Sequence, residues 1–154
     1  MSYNFRMKAF LIEAFIQKVL QISFHGGSEM FKNLVIAARV VLGLIFVVAS
    51  SNYFFHFFEM PSMGLKGKTF LMGLGATGYL MTLIKLIELI GGALLMVGFL
   101  VPLAIFALAP IVLNIILFHV FLDTGGMPIA IVLGALEGFL GFSYWDNYRR
   151  IFEI

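Results

Sequence analysis

The chain has 154 residues, 62% of them hydrophobic and 12% charged, with a formal net charge of +2 and a mean hydropathy of +1.06. A soluble domain carries about 25% charged residues and cannot hide this much apolar surface, so a soluble enzyme is excluded, as is a disordered chain. Cysteine is absent, which removes disulfides, thiol–disulfide exchange and thiolate metal ligands.

The charges are sorted along the chain. Ten of them stand in residues 1–33 or 146–154: Arg6, Lys8, Glu13, Lys18, Glu29, Lys32, Asp146, Arg149, Arg150 and Glu153. No formal charge occurs from Val40 to Phe58 or from Leu89 to Leu122. A spanning helix needs about 20 mostly apolar residues, so the sequence reads as an integral membrane protein. Its basic excess follows membrane topology and implies a lipid partner rather than nucleic acid.

Residues 1–29 come first. On a helical wheel Phe5, Ile12, Ile16 and Val19 lie opposite Arg6, Glu13 and Gln17, as in an amphipathic helix on a membrane surface. Glu13 and Lys18 interrupt the apolar run that a signal peptide requires. A second reading stands beside this one. Met30 directly precedes a complete four-span unit, residues 30–154, so the first 29 residues also read as upstream of the native start.

The first span is expected at 34–58, ended by Pro61, and an interfacial half-helix at 66–76, broken by Gly73, Gly75 and Gly78. The second span is expected at 79–99. As one helix the uncharged stretch 89–122 would measure about 51 Å against a hydrocarbon core of about 30 Å, so it must turn. Gly98 and Pro102 mark the turn, as a C-terminal glycine and a first-turn proline. The third span is then 101–122, with a kink expected at Pro110, and the fourth is 127–145. The fold class is an all-α, antiparallel four-helix membrane bundle. Six basic residues at the terminal side against Lys66 and Lys68 at the other predict cytoplasmic termini in an inner-membrane protein.

Ionisable groups inside spans are expensive and are functional candidates by default. Asn52, His56 and Glu59 share one helix face, and Lys85 and Glu88 at i, i+3 can pair. His119 and Asp123 stand at i, i+4, whereas Asn114 lies about 140° from His119 on the wheel. Alternating span directions put Asn52, His56, Lys85, Glu88 and His119 in the outer half of the bilayer, with Asn114 and Glu137 nearer its middle. These seven residues form the candidate ligand-binding or proton-handling set. Lys85–Glu88 reads equally well as a structural pair. Glu137 has no charged helical neighbour, so it is protonated or pairs across helices. His56 and His119 have no diagnostic spacing and read as anchors rather than as metal or haem ligands. Arg39 is expected to reach the inner surface or meet Asp146. Gly134 and Gly138 form a small-xxx-small pattern that permits close helix approach.

Several segments together resemble the DoxX family of small membrane proteins. They are Ala38-Arg39-Val40-Val41-Leu42-Gly43, Asn52 to Phe58, and Ala76-Thr77-Gly78-Tyr79 leading into Lys85-Leu86-Ile87-Glu88-Leu89-Ile90-Gly91-Gly92. Ala109-Pro110-Ile111-Val112-Leu113-Asn114 with Phe118-His119 completes the set. The likeness covers about Leu34 to Arg150. It implies a four-helix membrane bundle, and a role near quinone chemistry, since the family is named after a subunit of a terminal quinol oxidase. Fold transfers between relatives more securely than chemistry. The leading expectation is an accessory or quinone-associated subunit of a membrane redox complex, not a stand-alone enzyme, with redox subunits or further copies of itself as partners. The alternatives are a small proton-coupled transporter and a structural or chaperone-like membrane protein.

Overall fold

The computed structural model describes residues 3–59 and 62–152, with side chains described for 29–59 and 62–148. Helix α1 (Tyr3–Phe55) is followed by α2 (Leu65–Ala76), α3 (Leu80–Val97), α4 (Val101–Phe121), a single 3-10 turn at Thr124–Gly126, α5 (Met127–Ser143) and α6 (Trp145–Phe152). Among the described residues four stretches are long and apolar enough to cross a membrane: Glu29–Phe55, Leu80–Val97, Val101–Phe121 and Thr124–Ser143. The expected all-α architecture of four spans is therefore present, and the span limits agree to within a few residues.

The chain separates into two compact units, residues 1–36 and 37–154. In the first, α1 is helical through Gly26 and Gly27. The amphipathic wheel expected for residues 5–19 lies outside the described side chains. Glu29 and Lys32 form an exposed i, i+3 pair at 2.8 Å, of small energetic weight.

The second unit holds the bundle. Its core is Leu42 and Phe46 from α1, Leu95 from α3, Leu108 from α4 and Leu140 from α5, each at most 2% exposed. Leu83, Leu86, Leu103, Phe106, Leu113 and Val132 point outward, as lipid-facing side chains do. Lipid is as apolar as leucine, so the hydrophobic effect contributes little to holding such helices together, and close packing and polar contacts must do it. Helices α1 and α3 approach backbone to backbone. A Cβ on Gly43 would stand 2.5 Å from the Gly92 carbonyl oxygen, and one on Gly92 would stand 2.8 Å from that of Gly43. Further along, Ser50 meets Glu88 and Tyr53 meets Thr82, so the two helices run antiparallel. Of the pair Gly134 and Gly138, only Gly134 makes a close approach within the chain. Gly134 packs on Ile116, while nothing lies within 4 Å of a Cβ on Gly138 or Gly141.

The connections follow local chemistry. At the end of α3 the N–H groups of Gly98 and Phe99 both donate to the Leu94 carbonyl, and Gly98 has φ +84°, a conformation that glycine adopts without strain. Pro102 then stands in the first turn of α4, as expected. Helix α4 continues through Pro110 to Phe121, although that proline cannot donate to the Phe106 carbonyl. Helix α2 likewise continues through Gly73 and Gly75, and the reversal comes at Gly78, φ +77°. Thr77 Oγ1 donates to the Leu74 carbonyl and accepts from the Leu80 N–H, closing α2 and opening α3 with one side chain.

Candidate functional site

The C-terminal ends of α1 and α4, the N-terminal ends of α3 and α5, and all of α2 meet at one end of the bundle. They line an open-mouthed cavity of about 1340 Å³. Ligand pockets typically span about 300–1,000 Å³, so this one has room for a headgroup and part of a tail.

Its floor is polar. Lys85 Nζ donates to Glu88 Oε2 at 2.7 Å, and Ser50 Oγ from α1 donates to the same oxygen at 3.0 Å. Glu88 is 3% exposed and Ser50 fully buried, whereas the Lys85 side chain keeps 23% exposure. The carboxylate is compensated by one cation, so the floor carries no net charge. One of the three Lys85 N–H donors is spent on Glu88. Ser50 was not among the sequence candidates. A lone serine in an apolar run commonly bonds its own helix backbone, and only the register of α1 against α3 gives it this partner.

The α1 side is shaped by Asn52. Its Nδ2 donates to the Phe58 carbonyl at 3.0 Å, and its Oδ1 accepts from the Phe58 N–H at 2.9 Å. This two-bond clasp folds the chain back directly after the helix and holds His56 at φ +54°, a sparsely populated conformation for a residue with a side chain. Asn52 and His56 both line the cavity. Asn52 is thus engaged with backbone as well as facing the candidate site.

The opposite wall is α4. Phe118, His119 and Asn114 line the cavity. His119 Nδ1 lies 2.7 Å from the Asp123 carbonyl oxygen. A carbonyl only accepts, so Nδ1 carries the proton of this bond. Gly126 packs against this ring so tightly that any Cβ there would collide with it. The Asp123 carboxylate accepts from the Gly64 N–H at 3.2 Å, which ties the start of α2 to the end of α4. Gly67 rests on Phe118 and Asp123, and the Phe70 and Phe118 rings stand 5.7 Å apart, so α2 roofs the cavity.

Six of the seven sequence candidates therefore come together: Asn52, His56, Lys85, Glu88, Asn114 and His119. Glu137 does not line this cavity. It is 7% exposed on α5, and neither carboxyl oxygen has a hydrogen-bond partner. It lies near Tyr148, whose hydroxyl donates to the Pro102 carbonyl at 2.8 Å. Burial pushes the Tyr148 hydroxyl above its usual pKa, and nearby Glu137 and Tyr144 push it the same way. Among the described residues no group of three or more His, Asp or Glu is arranged to hold a metal ion.

The DoxX family model matches residues 34–120, more than half of the chain. No curated protein and no solved structure matches it. The matched segment contains Ser50, the Asn52–Phe58 clasp, Lys85, Glu88, Asn114 and His119, and it ends before Asp123 and Glu137. With four helices fit to span a bilayer and a family match that takes in the floor and both flanking walls of the cavity, the chain belongs to the DoxX family of small membrane proteins.

Proposed function

We propose that the protein is an accessory subunit of a membrane redox complex that holds a quinone in the cavity between α1, α2, α3 and α4. One observation carries the reading. An apolar cavity large enough for an amphiphile has, at its floor, an ammonium with unspent donors beside a buried carboxylate. A quinone headgroup is neutral and offers carbonyl acceptors, which suits a floor of no net charge. Aromatic and aliphatic walls from Phe58, Phe70, Leu71 and Phe118 suit its tail. His119 and Asn114 add polar groups along the wall.

The same reading carries a cytoplasmic membrane location with both termini in the cytoplasm. It is supported by Arg6, Lys8, Lys18, Lys32, Arg149 and Arg150 at the terminal side against Lys66 and Lys68 at the other. The cavity then opens toward the outer leaflet.

The test is direct binding. Protein in nanodiscs is dialysed against a short-chain quinone, and bound ligand is counted. Binding is expected to weaken about tenfold in Lys85→Met, the loss of one charge-assisted hydrogen bond, and to persist in Glu137→Gln. No saturable binding to the wild-type protein would refute the reading. A second reading, a small proton-coupled carrier, has Glu137 on its side, a buried carboxyl with no partner for either oxygen. Vesicles containing the protein would then dissipate a pH gradient, and Glu137→Gln would abolish the flux.

A further inference from the structure

The opposite end of the bundle holds a cation that the cavity does not explain. Arg39 on α1 is half-buried, and its Nε is fully buried without a hydrogen-bond partner. Among the described residues the ion pairs are Lys32–Glu29 and Lys85–Glu88, so Arg39 meets neither Asp146, its expected partner, nor Glu137. No hydrogen bond joins its guanidinium to the described protein atoms.

Its position is nonetheless well defined. The guanidinium occupies the space that a side chain on Gly98 would fill, with Nη1 2.6 Å and Nη2 2.8 Å from where that Cβ would stand. Gly98 lies in the short turn 98–100 between two membrane spans, which puts the guanidinium at the edge of the hydrocarbon core. Arginine stays ionised there and presents a planar fork of donors. A partly buried cation with no anion beside it among the described residues is costly, and a complementary group from outside the chain would offset that cost. At the bilayer edge that group is a phosphodiester, which matches the arginine fork bidentately.

We propose that Arg39, seated in the cradle left by Gly98, is a binding site for the phosphate of an anionic phospholipid at the end of the bundle opposite the cavity. A zwitterionic headgroup brings its own cation to the same place, and among the described residues no carboxylate pairs with Arg39 to receive it. The site therefore favours a net negative lipid. It is independent of the quinone reading, because Arg39 does not line the cavity.

The full-length protein, extracted in mild detergent, is exposed to equal amounts of phosphatidylglycerol and phosphatidylcholine with the same acyl chains. Retained lipid is counted by native mass spectrometry. The wild-type protein is expected to keep one phosphatidylglycerol with about tenfold preference. Arg39→Gln should lose that preference. Arg39→Lys, which keeps the charge and loses the fork, should lose most of it. Lys66→Gln, exposed on α2, should leave it unchanged. Equal retention of the two lipids by the wild-type protein overturns the proposal without reference to any variant. Undiminished preference in a folded Arg39→Gln protein overturns it as well. Displacement of the lipid by millimolar inorganic phosphate would overturn the lipid as the source of the phosphate.

Discussion

Ser50 Oγ on α1 and Glu88 Oε2 on α3 are joined by a 3.0 Å hydrogen bond between two buried side chains, and Lys85 completes the group from one helical turn before Glu88. The bond fixes the rotation of α1 against α3 and the position of the cavity floor together. Removing it in Ser50→Ala should cost about 1.5–3 kcal/mol, the range for a hydrogen bond to a charged group. Lys85→Met should cost more, about 3 kcal/mol, because it leaves a buried carboxylate uncompensated; the exposure that Lys85 retains keeps the loss toward the lower end. Adding Glu88→Gln to Lys85→Met should restore part of the stability. Thermal unfolding in detergent micelles measures all three, and an additive double variant would show that the pair is not coupled.

The glycines of the α1–α3 contact make a different prediction. At Gly43 or Gly92 a methyl group meets backbone, which cannot move aside cheaply. Gly43→Ala and Gly92→Ala should each destabilise by about 1–3 kcal/mol through overpacking. Gly138→Ala should be neutral or slightly stabilising, since its Cβ meets nothing within 4 Å and alanine is the better helix former. Equal effects at Gly92 and Gly138 would contradict the packing described.

The clasp made by Asn52 is open to hydrogen exchange. The Phe58 amide donates to Asn52 Oδ1, so Asn52→Ala should speed exchange at Phe58 and release His56 from its left-handed conformation. Amides in the middle of α3 should keep their protection. Unchanged exchange at Phe58 would mean that the clasp does not hold the segment.

Glu137 poses the question of stability against use. A buried carboxyl with no partner for either oxygen costs free energy, about 1–3 kcal/mol on mutational scales. Glu137→Leu, which keeps much of the volume, should therefore raise the midpoint of thermal unfolding. A lowered midpoint would show that Glu137 holds the bundle together. A raised one would mark it as a residue kept at the expense of stability, which is typical of functional sites.

Much of this protein is legible in the sequence. Apolar runs measured against a fixed bilayer thickness give the four spans, because length and hydropathy are one-dimensional quantities. Gly98 followed by Pro102 places the turn between the second and third spans, since both act through local backbone chemistry. Helical phase and alternating span direction predict Asn52, Lys85, Glu88 and His119 at one end of the bundle, and they line one cavity there; His56 joins them from just past the end of α1.

Only the tertiary structure decides how the helices face one another. Spacing sets the phase of residues within a helix, but the rotation and register between helices depend on which small and polar groups interlock. Gly43 and Gly92 bring the backbones of α1 and α3 together, while Gly134 packs on the Ile116 side chain. The packing of α1 on α3 gives Ser50 its partner and leaves Arg39 beside Gly98, and the packing of α5 leaves Glu137 outside the cavity. Each of these is a relation between distant parts of the chain, fixed by packing across a few ångströms that no periodicity in the sequence encodes.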